Sequence, residues 1–96
     1  MSAYMIYNLV EVLDPEPLAE YREKFGPTLE KYGGRRLASD PDFEVLEGAW
    51  EGARVVVIEF PDMDALNRWH ESEEYKPLIA LRRKATGGNM IAVAGL

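Results

Sequence analysis

His70, the only histidine of the chain, is the side chain best suited to general acid–base chemistry near neutral pH. It lies four residues after Leu66 and directly after Trp69, which places it at the border of the apolar face of a predicted helix. His70 is therefore a candidate catalytic residue. The alternative interpretation is a surface or partly packed histidine without a chemical role.

Asn8 is a polar residue within an otherwise apolar predicted strand. It shares one face of that strand with Tyr4, Ile6 and Val10. If this face meets the helices, the Asn8 amide points toward Phe60, Trp69 and His70, and these residues line a pocket between the sheet and the helices. Asn8 and His70 are then the catalytic candidates. The alternative is an asparagine whose amide is satisfied by nearby backbone.

Glu59 lies near the end of the most apolar predicted strand and faces the same way as Val55 and Val57. Its carboxylate is therefore expected in or beside a buried region, where it could serve proton transfer. The favoured interpretation is structural, with Glu59 forming an ion pair or hydrogen bond across a dimer. The partners considered are Arg35, Arg36 and Arg54.

Tyr32, Trp69 and Arg82 belong to apolar helical stripes. The two aromatic residues are predicted to lie in the core or an interface rather than to stack on a ligand. Arg82 shares its stripe with Tyr75 and Ile79, so its stem is predicted to pack on apolar surface while its guanidinium meets a carboxylate. An anion-binding role for Arg82 is the less favoured alternative.

The composition excludes several kinds of chemistry. No cysteine is present, so thiolate catalysis, disulfides and cysteine-based zinc sites are ruled out. Neither metal-ligand spacing nor a phosphate-binding glycine loop occurs, and we predict no cofactor and no metal.

Charge and hydropathy also exclude some partners. With 11 Lys+Arg against 17 Asp+Glu and no basic stripe, nucleic acid is not an expected partner. Apolar runs are far shorter than the roughly 20 residues of a membrane span, and no signal peptide is visible, so we expect a cytoplasmic protein.

The residue pattern predicts one domain over residues 1–96. Strands are predicted at residues 4–12, 35–38, 54–60 and 90–94, with 43–46 also extended and 87–89 as a loop. One helix begins after Asp14 and ends at Gly33-Gly34, and a second helical region begins at Pro61-Asp62. The order β-α-β-β-α-β predicts an α+β, ferredoxin-like fold with a four-stranded antiparallel sheet and both helical regions on one face.

The first and third predicted strands are apolar on both faces, although one face of such a sheet would be open to water. Apolar patches of that extent are rarely left uncovered. We therefore predict a homodimer in which two sheets pack face to face. The alternative is that strand ends and loops cover the face within one chain.

A series of motifs resembles a bacterial family, the domain of unknown function 1330, over nearly the whole chain. The motifs are Asp14-Pro15-Glu16 with Tyr21, Tyr32-Gly33-Gly34-Arg35, Leu46-Glu47-Gly48, Val57-Ile58-Glu59-Phe60-Pro61, and Trp69-x-x-Ser72-x-x-Tyr75 with Arg82. The resemblance implies membership of the dimeric α+β barrel superfamily, which includes small monooxygenases, haem-degrading enzymes and muconolactone-type isomerases. It implies no particular activity, because fold does not determine function.

The chain departs from the family pattern at three places. Ser39-Asp40-Pro41 stands where an Arg-Gly-Gly is usual, so an anion-holding role of that turn is not expected. His70 stands beside Trp69 where a tyrosine is usual. The position comparable to the iron-binding histidine of the haem-degrading branch is Ile79, so haem is not expected.

Two hypotheses for function follow. The first is a cofactor-independent oxygenase or isomerase that acts on a small organic molecule in a pocket between the sheet and the helices. The second is a non-catalytic dimeric module that binds a small hydrophobic or aromatic molecule or has an accessory role. Fold analogy alone supports the first.

Overall fold

The computed structural model describes all 96 residues and contains four strands and three helices. In chain order these are β1 (Ala3–Val12), α1 (Pro15–Glu30), β2 (Arg35–Asp40), β3 (Arg54–Phe60), α2 (Met63–His70), α3 (Lys76–Ala85) and β4 (Thr86–Ala94). The strands form one antiparallel sheet in the order β2-β3-β1-β4. The predicted ferredoxin-like arrangement is confirmed, with the second helical region divided into α2 and α3. No helix combines the length and apolar character needed to cross a bilayer.

The helix ends follow the signals in the sequence. The Asp14 side chain accepts a hydrogen bond from the Glu16 backbone N–H at 3.2 Å, which caps the N-terminus of α1. After α1, Gly33 adopts a left-handed conformation with φ of 74°, and the Gly34 N–H donates to the Leu29 carbonyl at 2.9 Å. Only glycine adopts this conformation without steric cost, so the predicted end of the helix at Gly33-Gly34 is confirmed.

Alternation along β1 divides the sheet into two faces. Ala3, Met5, Tyr7 and Leu9 are buried, and they belong to the same core cluster as the buried side chains of the helices. The intervening residues point to the opposite face, which no helix covers. At the centre of this open face, Ile6 pairs with Val57 on β3 and with Ile91 on β4. Ile91 is 54% exposed, so the open face carries uncovered apolar side chains.

Two predictions about local structure are wrong. Residues 43–46 form no strand and lie in the irregular connection between β2 and β3. Residues 87–89 are not a loop but part of β4, where Gly88 pairs with Leu9. A Cβ atom on Gly88 would collide with the Asn8 carbonyl oxygen and lie 2.7 Å from the Tyr7 hydroxyl. Glycine at this position therefore makes room for the Tyr7 side chain within a paired strand.

Gly88→Ala is expected to destabilise the fold by about 2 kcal/mol, because backbone and a buried tyrosine must both move. The matched control is Gly87→Ala, whose added Cβ would lie 3.3 Å from the flexible Glu11 side chain. The control should change the free energy of unfolding by less than about 0.5 kcal/mol. Urea unfolding of both variants tests this, and equal midpoints would contradict it.

Candidate functional site

A cavity of about 410 Å³ lies between α1 and the sheet. Because α1 packs mainly against α3 rather than against the strands, the space beneath α1 is not filled. Apolar side chains from both layers form most of its walls, and they include Met5, Leu9, Leu18, Phe25, Val56 and Met90. A concave apolar space of this volume lies within the range of ligand-binding pockets.

Four of the seven arginines of the chain line this cavity. Arg22 comes from α1, Arg36 from β2, Arg54 from β3 and Arg82 from α3. None of the four forms an ion pair, because every salt bridge of the chain uses other groups. The lining contains no aspartate, glutamate or histidine. The cavity is therefore strongly positive within a chain of formal net charge −6.

Arg82 is the buried member of this set, with 9% of its surface exposed. Its Nη1 donates a hydrogen bond of 2.8 Å to the Tyr75 hydroxyl, and its guanidinium carbon lies 5.2 Å from the centre of the Tyr7 ring. The predicted carboxylate partner of Arg82 is therefore absent, and the prediction is wrong on this point. The nearest groups are neutral because α3 lies against tyrosines of α1 and β1. A guanidinium buried without a counter-ion is costly.

A chain of hydroxyl groups connects Arg82 to the cavity. The Tyr75 hydroxyl lies 2.8 Å from that of Tyr21, which lines the cavity. Either hydroxyl can donate in this contact, and Tyr75 also accepts from Arg82. The Tyr21 hydroxyl thus links the Tyr75–Arg82 pair to the cavity wall.

Both tyrosines stay protonated at neutral pH. Burial raises the pKa of Tyr21 well above its usual range, and the neighbouring Tyr75 adds to this effect. Burial also raises the pKa of Tyr75, although the positive charge of Arg82 acts in the opposite direction. The inner end of the cavity therefore presents hydrogen-bond donors and no general base.

Asn8 lies on the open face of the sheet, so the predicted pocket of Asn8 with Phe60, Trp69 and His70 does not form. The alternation of β1 directs Tyr7 and Leu9 to the helices and turns Asn8 away from them. Its Nδ2 donates to the Glu51 carbonyl at 2.8 Å, and its Oδ1 accepts from Trp50 Nε1 at 3.2 Å. Asn8 thus attaches the β2–β3 connection to the sheet. A backbone carbonyl and a tryptophan side chain satisfy its amide, which is close to the alternative interpretation of an asparagine satisfied by backbone.

His70 lies at the C-terminal end of α2, outside the arginine-lined cavity. It borders a separate hollow of about 160 Å³ between α2 and β4, together with Met5, Leu66, Asn67, Met90, Ile91 and Ala92. Burial lowers the pKa of His70, and the positive charge of Arg82 lowers it further. His70 is therefore neutral at neutral pH.

The remaining predicted site residues have structural partners. Glu59 pairs with Arg35 at 2.7 Å within the chain rather than across a dimer. Phe60 and Trp69 are fully buried, and Trp69 Nε1 donates to the Thr28 hydroxyl at 3.0 Å. Tyr32 donates to Glu74 at 3.0 Å. Hydrogen bonds from Lys31, the local backbone and Tyr32 lower the pKa of Glu74 to about 2. Through its bond to Thr28, Trp69 connects α2 to α1, and it packs on Phe60 of the sheet.

Sequence reasoning missed the arginine cluster. Arg22, Arg36 and Arg54 are separated by 14 and 18 residues and lie on three different elements. No spacing rule connects them. Only Arg82 was recognisable from the sequence as a candidate site residue, because an arginine in an apolar helical stripe needs a partner for its charge.

The four-stranded antiparallel sheet with helices on one face defines a ferredoxin-like α+β protein. Residues 2–96 match the family described as "Domain of unknown function (DUF1330)", and the chain belongs to that family. The resemblance in the motifs is thereby confirmed. No curated protein matches the sequence.

Solved structures with the same fold include uncharacterised proteins and an oxygenase. A protein of unknown function from Rhodopseudomonas palustris superposes with a TM-score of 0.78 at 20% identity, over 99% of this chain and 83% of that one. A dimeric ferredoxin-like protein of unknown function from Jannaschia sp. gives 0.74 at 12% identity, over 99% and 100%. SnoaB, a cofactor-independent oxygenase from Streptomyces nogalater, gives 0.60 at 16% identity, over 99% and 93%. At these identities the likeness establishes the fold.

The titration of His70 tests its placement. NMR of this single histidine is expected to give a pKa below the unperturbed 6.5, because burial and the charge of Arg82 disfavour the imidazolium. The unfolded chain protonates His70 at a higher pH than the folded chain does. The free energy of unfolding is therefore not reduced by this titration above pH 6.5, and it decreases as pH falls toward and through the folded-state pKa. His70→Gln should remove that part of the pH dependence of urea unfolding. A folded-state pKa at or above 6.5 would contradict this placement.

Proposed function

We propose that this protein binds a small organic molecule with an apolar or aromatic body in the cavity between α1 and the sheet. The observation that carries the proposal is the unfilled space of about 410 Å³ with apolar walls. A space of this size within a marginal core of 96 residues removes packing that the fold could otherwise use. Its persistence is understandable if a ligand occupies it.

The aromatic wall supports the class of ligand. Phe25 lines the cavity and belongs to a cluster of rings, with Tyr21 stacked at 5.2 Å and Trp69 edge-on at 6.1 Å between ring centres. These neighbours fix the orientation of Phe25, so the part of its ring that lines the cavity is a rigid apolar wall.

Val56→Phe tests this proposal, because Val56 lines the cavity and the larger ring would occupy the open space. The probes are 8-anilinonaphthalene-1-sulfonate and its uncharged parent N-phenyl-1-naphthylamine, which fluoresce in apolar sites. At least one probe should bind the wild-type chain, and Val56→Phe should weaken that binding by about tenfold or more.

The matched control is Val45→Phe, the same substitution on the exposed β2–β3 connection. It should leave probe affinity unchanged, and circular dichroism should show both variants folded. If neither probe binds, or if the two variants behave alike, the proposed function is wrong.

A cofactor-independent oxygenase is the second candidate function. The observation that favours it over an isomerase is a lining of donors without a carboxylate or imidazole base. Such a lining stabilises an acidic substrate in its ionised form, but it offers no group to carry a proton between two positions. An ionised carbon acid can react with dioxygen: the substrate CH₂ becomes C=O, one oxygen atom is retained and the other leaves as water.

Oxygen consumption separates the catalytic from the non-catalytic hypothesis. An oxygen electrode with phenolic ketones whose methylene group ionises near neutral pH should show uptake that Val56→Phe abolishes. Binding of the same ketones without uptake would support the non-catalytic module. The catalytic roles of His70 and Asn8 stay predictions, and His70→Ala and Asn8→Ala in the same assay test them.

We also propose that the chain forms a homodimer through the open face of its sheet. The face carries Ile6, Val57 and the exposed Ile91 at its centre, with Val93 40% exposed beside them. The dimeric ferredoxin-like protein from Jannaschia sp., which has the same fold, supports this proposal. A second copy would remove these side chains from water.

Ile91→Glu is expected to convert the dimer to a monomer, because a charge would lie in the centre of the interface. Native mass spectrometry of the wild-type chain should give twice the 10.9 kDa of one chain. Val45→Glu, which places the same charge at another exposed apolar position, should remain dimeric. A monomeric wild-type chain would refute the interface.

A further inference from the structure

We propose that the ligand of the cavity is an organic acid, whose anionic oxygens are bound by Arg82 and by the arginines on the other walls. The inference deepens the proposed function and rests on it, because it assigns a charge to a molecule that the cavity is proposed to bind. The juxtaposition that carries it is four unpaired guanidinium groups, one of them buried, around an apolar space that contains no acid.

Charge is distributed unevenly between the cavity and the rest of the chain. The chain has 17 acidic residues against 11 basic ones, so a surface chosen at random is expected to be acidic. The cavity instead brings together four arginines from four elements and no aspartate or glutamate. Of the three arginines outside the cavity, Arg35 pairs with Glu59 and Arg68 with Asp64, whereas the exposed Arg83 forms no ion pair. The cavity arginines are left without such partners.

Arg82 has N–H groups without a hydrogen-bond partner in the chain. Only its Nη1 has hydrogen-bond partners in the chain, namely Tyr75 and, at 3.9 Å, the Met90 sulfur. No fully buried side-chain nitrogen or oxygen lacks a partner, so the remaining N–H groups of Arg82 reach accessible space. Because Arg82 lines the cavity, these donors are available to an anion there. The Tyr21 hydroxyl, which contacts that of Tyr75, also lines the cavity.

Contacts within the chain orient two of the outer arginines, Arg36 and Arg54. The Arg36 guanidinium lies over the Phe25 ring, 5.2 Å from its centre. Arg54 donates to the Ser39 hydroxyl at 3.1 Å. Both contacts orient guanidinium groups along the cavity wall without neutralising their charge. The ordering of long side chains is thus largely complete before a ligand arrives.

The walls restrict the anion to one that carries an apolar body. Inorganic phosphate or a nucleic acid backbone would leave the surfaces of Leu18, Phe25 and Val56 unused. An aromatic or aliphatic carboxylic acid, or an acidic phenol bound as its anion, uses both parts of the site. Such a ligand places its oxygens near Arg82 and its body along Phe25.

Comparison of the two naphthalene probes tests the inference, because they differ only in the sulfonate. We expect 8-anilinonaphthalene-1-sulfonate to bind at least about tenfold more tightly than N-phenyl-1-naphthylamine, since its charge meets unpaired guanidinium groups. The preference should decrease as salt is added, because the outer arginines are solvent-exposed.

Arginine variants assign the preference to the cavity. Arg36→Gln and Arg54→Gln should each weaken binding of the sulfonate by about threefold to tenfold more than they weaken binding of the neutral probe. Arg82→Gln should have the largest effect. Since Arg82 also supports Tyr75, the two outer variants keep the test valid if Arg82→Gln does not fold.

Neighbouring arginines serve as matched controls. Arg35 precedes Arg36 on β2 but pairs with Glu59 on the opposite face, and Arg83 follows Arg82 but is exposed outside the cavity. Arg35→Gln and Arg83→Gln should not change the ratio of the two affinities. Equal affinity of the two probes, or equal effects of Arg36→Gln and Arg35→Gln, would overturn the inference while leaving the proposed binding function intact. Failure of both probes to bind would overturn both.

Discussion

The hydrogen bond from Arg82 to the Tyr75 hydroxyl joins the parts of this fold that define its cavity. Tyr75 continues the connection to Tyr21 on α1, and the Arg82 guanidinium lies against the Tyr7 ring on β1. The Tyr7 hydroxyl in turn lies 2.8 Å from that of Thr86, at the start of β4. Four elements, α1, α3, β1 and β4, thus meet around one buried positive charge. The cavity lies beside this junction, between α1 and the sheet.

The second organising feature is the separation of charge within the molecule. Acidic residues dominate the chain as a whole, whereas the cavity is lined by arginines alone among the charged residues. A low-dielectric wall strengthens the field of such a cluster, since less solvent is present to screen it. The proposed ligand would be selected by charge as well as by shape, since an apolar body alone would satisfy only half of the site.

The two faces of the sheet have different roles that follow from the alternation of β1. Tyr7 faces the helices and closes the inner end of the cavity, while its neighbour Asn8 faces the other way and holds Trp50 and the Glu51 backbone. The same alternation leaves Ile6 and its partners on β3 and β4 without cover. A shift of one residue in the register of β1 would exchange these roles completely.

The sequence by itself determined the order of the elements, the caps at Asp14 and Gly33, the central position of β3 and the family, because these depend on local preferences and on motifs. It did not determine the site. Which face of β1 meets the helices depends on packing between distant segments, and this placed Asn8 away from His70. The sequence pattern predicted a loop at Gly88, because the Tyr7 side chain, which requires a glycine at this position of β4, lies 81 residues away in sequence. Only the tertiary structure brings Arg22, Arg36, Arg54 and Arg82 together, since a cluster drawn from four elements has no linear spacing.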